Sequence, residues 1–331
     1  MEFELAADAA AVARLSRLKF LTAGRDGRPR TQPVKIVWHD SPEHALLADG
    51  LTMAEQRGTW RLERVVPGSE TWLPAEPPPV LSETPDPTTL PAPLAPVAAF
   101  EGRRTISLHC LSETPVTLTV DKGVLRTVAE ERAVARIRLS GEEQAVRAAA
   151  GLIAEAVPVA VPLASLAAEA IAMATGRPPR PRHQGAPALP ETVRTVPEAL
   201  AHILGHLTDV ILAQAPRASQ ADGDGPEGVH QMRVAVRRAR SALSIFRPAL
   251  PDGALAAVSD GLKALGARLG PARDWDVFAD ETVPVIRQAI TGDERLERLA
   301  GAASRQRRAH RKDLVLYLAS PAFRQLGIDL A

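Results

Sequence analysis

His230, Arg233, Arg237 and Arg240 stand at i, i+3, i+7 and i+10 in the stretch GVHQMRVAVRRARSALSIFRPAL, residues 228–250, which holds five arginines and no acid. At 100° per residue these four fall in one helical stripe, adjoining a second stripe of Met232, Val236, Ala239, Leu243 and Phe246 that reads as core-facing. Guanidinium groups stay charged and bind phosphate oxygens bidentately. A row of them, held by packing along one side, therefore suits a flexible chain of phosphates. The same row costs the helix roughly 0.2–0.5 kcal/mol per like-charged neighbour pair unless an anion relieves it. A solvated face on a structural or protein-interaction bundle is the plain alternative.

More cations follow. The segment LKALGARLGPARDWDVFAD sets Lys263, Arg268 and Arg273 on the next helix and its end, with Gly270 and Pro271 expected to break the helix before Arg273. In RLERLAGAASRQRRAHRKDLVLYL the apolar face is Leu296, Leu299, Ala303, Leu314 and Tyr317; Arg307 and Arg311 flank it, while Arg298, Arg305, Arg308 and Lys312 lie opposite, in solvent. Three antiparallel helices of this kind predict one basic surface. Only eleven aromatic residues occur in the chain, and Phe246 is the only one on the arginine helix, so stacking of unpaired bases lacks a platform. Duplex DNA is disfavoured because the arginines adjoin the face where partner helices belong.

Elsewhere the residues for chemistry are sparse. Glu2 and Glu4 alternate with Phe3 and Leu5, which reads either as an edge strand or as a weak pair of metal ligands. His109 and Cys110 are adjacent in a strand-like run and so point to opposite faces, which argues against a catalytic pair. His39 and His44 have no third ligand at metal-binding spacing, and no Walker loop or dinucleotide fingerprint is present. No cofactor and no catalytic residue is expected.

These residues need elements to hold them, and proline marks the joints. A proline-rich loop over 67–97 and a linker over 176–195 divide the chain into a β domain, 1–175, and a helical domain, 196–331. Strands are expected at EFELA, KIVWHD, WRLERVV, RTISLHC, PVTLTVDKGVLRTV and RAVARIRL, with a hairpin turn at Lys122-Gly123. A helix follows in GEEQAVRAAAGLIAEAV, where Val146, Ala149, Ile153 and Val157 recur at helical spacing. Beyond the linker, helices are expected at Val196–Ala215, Val229–Pro248, Ala254–Gly270 with a further turn near Asp274–Ala289, and Asp293–Ala319. The formal charge is only +1, so a polyanion surface must arise by segregating charge. A single cysteine, the absence of a signal peptide and the lack of about 18 uninterrupted apolar residues predict a cytoplasmic protein without a membrane span.

Two motifs carry a family resemblance. VHQMRVAVRRARSALSIF followed by LKALGARLGPARDWDVF resembles the signature of CHAD domains, in which a VHxxRVxxRRxR helix precedes an LGxxRDxDV segment. The resemblance implies an all-α four-helix bundle that binds inorganic polyphosphate or a similar polyanion through His230, Arg233, Arg237, Arg240, Lys263 and Arg273, in association with polyphosphate granules. Arg307 and Arg311 join this set from the helix after it. The match covers about Pro197 to Leu330, where a first bundle of two would end, so half of the family's basic surface is expected to be missing.

The first half is similar in order and spacing to CYTH domains, which implies an α+β chain with an antiparallel, tunnel- or barrel-like β domain in front of the bundle. In that family an ExExK strand serves a divalent metal and a triphosphate. Glu2 and Glu4 match, but Ala6 replaces the lysine, Met53 and Glu55 replace an expected basic pair, and Arg136 and Arg138 stand where late-strand carboxylates are expected. Mg²⁺ or Mn²⁺ needs hard oxygen ligands, so the reading is a binding protein without catalysis, with a metal-dependent triphosphatase or polyphosphatase as the rival.

Overall fold

The computed structural model describes residues 1–65, 86, 93–111, 113–176, 189–191, 193–220, 223–251, 253, 255–290 and 293–331. Most of the proline-rich stretches expected as loop and linker lie outside these residues. The chain divides into two compact units, 1–181 with 331, and 182–330.

The first unit is built on β1 (Glu2–Ala7), β2 (Arg25–Asp40), β3 (Leu51–Gln56), β4 (Thr59–Arg64), β5 (Ala95–Leu111), β6 (Thr114–Arg126), β7 (Glu131–Gly141) and β8 (Val159–Ala160). They form one sheet in the order β4-β3-β2-β5-β6-β7-β1-β8, and every pairing is antiparallel. Helices α1 (Ala9–Leu15), α2 (Lys19–Ala23), α3 (Ala45–Ala48), α4 (Glu143–Ala156) and α5 (Leu166–Thr175) complete it. The expected helix at 141–157 is α4, which packs on β1, β6 and β7 with Val146, Ala149 and Ile153 fully buried. On the sheet's other face Val34, Ile36, Trp38, Phe100 and Leu125 share a core with Ala167, Ala168, Ala170 and Ile171 of α5.

The hairpin turn expected at Lys122-Gly123 is absent. β6 runs straight through it, with Lys122 opposite Arg103 and Gly123 opposite Gly102. The glycines serve close approach instead: a β-carbon at Gly123 would stand 2.3 Å from the Glu101 carbonyl oxygen, and one at Gly102 would stand 2.4 Å from that of Lys122. Glu2 and Glu4 lie on an edge as expected, because β8 pairs with β1 only at Ala6 and Ala7 and leaves Glu2–Leu5 bonded to β7 alone among the described residues.

His109 is buried and ties β5 to α2, its Nδ1 donating to the Leu21 carbonyl at 2.9 Å while Nε2 meets Ser107 Oγ at 2.8 Å. Burial, aided by nearby Arg25, holds this imidazole below its ordinary 6.5, against the opposing hydrogen bond to Leu21. Burial lowers His39 as well. In the unfolded chain these groups take up protons near 6.5, so the stability they confer is complete above that pH and is lost as pH falls through the lower folded value. The first unit should therefore unfold at lower denaturant at pH 5.5 than at pH 7, and His109→Gln should shrink that difference. An unchanged difference in the variant would show that His109 takes up its proton equally in the folded and unfolded states.

The second unit is helical: α6 (Val196–Ala218), α7 (Gly225–Phe246), α8 (Ala256–Val277), α9 (Val283–Ala289), α10 (Glu294–Leu318) and α11 (Pro321–Leu330). Thr195 and Glu198 close a capping box at the start of α6. That helix is long and apolar enough to cross a membrane, yet its Leu207, Val210 and Ile211 lie in the bundle core with Met232, Val236, Leu262, Leu265, Leu269 and Leu314. α7 starts at Gly225, four residues before the expected Val229, because Pro226 is compatible with a first helical turn and Glu227 suits its dipole. α8 does not break at Gly270 and Pro271. It continues to Val277 and passes through a π-helical turn, Phe278–Thr282, into α9. Buried Leu269, Ala272 and Asp276 hold the helix across the proline, whose missing N–H withdraws a single intrahelical hydrogen bond. α11 has no counterpart in the sequence reading.

Candidate anion-binding site

On α7 Met232, Val236, Ala239 and Leu243 of the expected core stripe are buried, while Phe246 at its end is only partly buried. Arg233, Arg237 and Arg240 are exposed beside it, and His230 is half-buried. The neighbouring α8 explains where two of these arginines lie. A β-carbon at Gly270 would stand 2.9 Å from Arg233 Nη1, and one at Gly266 would stand 3.8 Å from Arg240 Nη1. Gly266 and Gly270 thus form an open floor on which α7 lays its guanidinium groups. Lys263, three residues before Gly266, is exposed on the same side of α8.

The ionic state of these cations differs. Arg233 meets Asp274 at 3.7 Å and Arg273 meets Glu281 at 3.5 Å. Arg237, Arg240 and Lys263 have no ion-pair partner among the described residues. Arg268 lies 3.9 Å from Asp313, donates to the Ala264 carbonyl at 2.9 Å and stands 4.4 Å from the Tyr317 ring centroid. Arg305 and Arg308 are exposed, in keeping with their place opposite the apolar face.

Arg307 and Arg311, expected in the same set, are both engaged with groups of the bundle. Arg307 donates to Asp276 and to Asp280, each at 2.9 Å. Arg311 is 7% exposed; it donates to the carbonyls of Gly225 at 3.1 Å and Gln220 at 3.2 Å, and lies 3.8 Å from Asp276. The reason is Asp276, which is 1% exposed and needs cations around it. Its position was signalled in the sequence: it follows Leu269 by seven residues and Ala272 by four, which sets it on the buried stripe of α8.

In the first unit, Glu4 is 8% exposed and lies 3.2 Å from both Arg136 and Arg138, while Glu2 lies 3.1 Å from Arg138. Ala6, where a lysine was expected, is in register with Arg136. Arg136 and Arg132 also pair with Glu169 of α5, and Arg104 binds Asp121 through two hydrogen bonds of 2.7 and 2.8 Å. That hydrogen bonding raises the Arg104 pKa above its ordinary value. Four carboxylates and four guanidinium groups neutralise one another on this face. A divalent cation does not fit the residues present, because Glu2 and Glu4 already face arginines. No group of three or more histidine, cysteine or acidic residues suited to a metal occurs among the described residues.

Comparison with known proteins agrees with the helical motif. Residues 194–331 match the CHAD domain. Among solved structures, the CHAD domain from the plant Ricinus communis is 35% identical, with 44% of this chain and 47% of that protein covered and a TM-score of 0.38. The chain thus spans about half the length of that CHAD protein. A Hippeastrum protein, described as a candidate adenylyl cyclase with a dominant triphosphatase activity, is 14% identical over 52% of this chain and 95% of its own, with a TM-score of 0.34. A candidate adenylate cyclase from Bacillus halodurans is 10% identical over 44% and 83%, with a TM-score of 0.25. No curated protein matches the chain.

Proposed function

We propose that the CHAD segment binds inorganic polyphosphate, or a polyanion of like charge density, on α7 and α8, and that the chain does not hydrolyse it. The observation that carries this reading is the alignment of Arg237, Arg240 and Lys263, exposed and without ion-pair partners among the described residues, beside Arg233 on the glycine floor of α8. The core stripe of α7 fixes the spacing of these cations, so the ligand meets a partly ordered row of donors. The reading without hydrolysis rests on the glutamates of β1, which are neutralised by Arg136 and Arg138 where a metal-dependent triphosphatase requires free oxygen ligands.

One assay addresses both halves. Long-chain polyphosphate should bind at low ionic strength and weaken steeply as salt rises, because lysine and arginine contacts release counterions from the polyanion. Incubated with Mg²⁺ or Mn²⁺, tripolyphosphate should remain intact. Affinity that ignores salt would remove the electrostatic site. Phosphate release abolished by Glu2→Gln with Glu4→Gln would restore the enzyme reading.

A further inference from the structure

The sheet of the first unit carries a second cationic surface, used neither by its glutamate–arginine network nor by the helical site. Arg103 of β5 and Lys122 of β6 are register partners, so their side chains leave the same face as direct neighbours. Pro33 of β2 is in register with Arg103, and Arg57, in the turn between β3 and β4, donates to the Pro33 carbonyl at 3.3 Å. All three cations are exposed and have no ion-pair partner among the described residues. Adjacent Arg104 and Asp121 point to the opposite face, toward the network around Glu4.

Two residues along the strands, the same face is handled differently. Lys35 meets Glu101 at 2.8 Å, and Arg126 lies 3.8 Å from Glu101 and 3.4 Å from Glu131. Cations there are paired with acids; Arg103 and Lys122 form no ion pair among the described residues. Arg25, Arg28 and Arg30 extend the charge along β2, with Asp26 as the one acid between Arg25 and Pro33. Those three have an ordinary explanation, because β3 pairs with β2 only from Val37 to His39 and charge on an unpaired strand edge blocks association. Arg103 and Lys122 sit on interior strands, where that explanation fails. Like charges directly opposite destabilise a sheet, and the close approach of Gly102 and Gly123 draws these two strands together beside the pair.

We infer that Arg103, Lys122 and Arg57 form a second anion site, which takes the phosphates of a short oligophosphate or a segment of a longer chain. No aromatic residue occurs in 25–33, 101–105 or 119–124, and Trp60, three residues after Arg57, is packed against His39 with ring centroids 4.8 Å apart, so Arg103 and Lys122 have no aromatic neighbour on their own strand segments and the site is read as one for a bare phosphate chain. The site goes beyond the helical one and does not rest on it.

The test is calorimetric titration with tripolyphosphate, on the parent and on Arg103→Ala with Lys122→Ala. A control, Arg17→Ala with Lys19→Ala, removes equal charge from exposed positions of the same unit. Each pair is also introduced into an Arg237→Ala, Arg240→Ala background, and folding is checked by circular dichroism. The Arg103 and Lys122 pair should weaken one binding event by about tenfold or more in both backgrounds, since two charge-assisted contacts are lost, and the control pair should change little. Equal losses from the two pairs, or a loss seen for an RNA oligonucleotide and not for tripolyphosphate, would overturn the site. If the helical pair has no effect while the sheet pair does, the helical reading fails and this site stands.

Discussion

Replacing Arg237 and Arg240 with alanine should lower the affinity for long-chain polyphosphate by roughly a hundredfold or more, since each charge-assisted contact to a well-held ligand contributes about 1.5–3 kcal/mol. Removing Arg305 and Arg308 changes the net charge equally and should cost much less. Both pairs are exposed arginines four or fewer residues apart on long helices, so propensity and bulk charge are matched. They differ in surroundings. Arg237 and Arg240 border the buried stripe of α7, and Arg240 lies over Gly266 of α8, whereas Arg305 and Arg308 face away from the core. Arg233 is the less informative target, because Asp274 competes for it at 3.7 Å. Titrations of both double variants, after circular dichroism confirms that each is folded, decide the matter. Equal losses would mean that only total charge counts, and the ordered row on α7 would have no special role.

The α7 stripe was legible because a helix of this length converts spacing directly into direction. Once Met232, Val236, Ala239 and Leu243 are recognised as core, the exposed side of Arg233, Arg237 and Arg240 follows. What spacing within one helix cannot give is the neighbour. Gly270 beside Pro271 carries the local signature of a helix break, and only the packing of α7 shows that its missing side chain makes room for Arg233. Gly123 misleads in the same way: a lysine–glycine pair reads as a turn, while the structure uses the glycine to let β5 and β6 approach. In both cases local propensity gave way to a contact distant in sequence.

The arginines of α10 illustrate the limit more sharply. Arg307 and Arg311 flank the apolar face just as Arg233 and Arg237 flank theirs, and the periodicity is silent on the difference. A buried acid on another helix decides their fate. Asp276 draws both inward, so two members of one apparent set pair with a buried acid while Arg237, Arg240 and Lys263 are exposed. Pairing also settles Glu2 and Glu4, whose alternation with Phe3 and Leu5 was readable but whose partners lie more than 130 residues away.

Arg311→Met should therefore act on stability first. Methionine fills similar space without charge, but the carbonyls of Gly225 and Gln220 lose their donor and Asp276 keeps only Arg307. Breaking a buried ionic arrangement from one side costs roughly 3–5 kcal/mol, and at about 2–4 °C per kcal/mol for a unit of this size the melting midpoint should fall by roughly 10 °C. The backbone is tight here as well: a β-carbon at Gly225 would meet the Gln220 carbonyl oxygen and Arg311 Nη2, so Gly225→Ala should destabilise the same region without touching any charge. Arg307, a quarter exposed, should matter less when replaced by methionine. Coupling supplies the sharper test. Asp276→Asn removes the acid that makes Arg311 necessary, so the double variant should lose measurably less than the sum of the single losses. All of this is read without ligand, by thermal melts of the unliganded protein. If Arg311→Met melts with the parent and instead binds polyphosphate weakly, Arg311 belongs to the ligand surface, and its pairing with Asp276 and the loop before α7 is incidental.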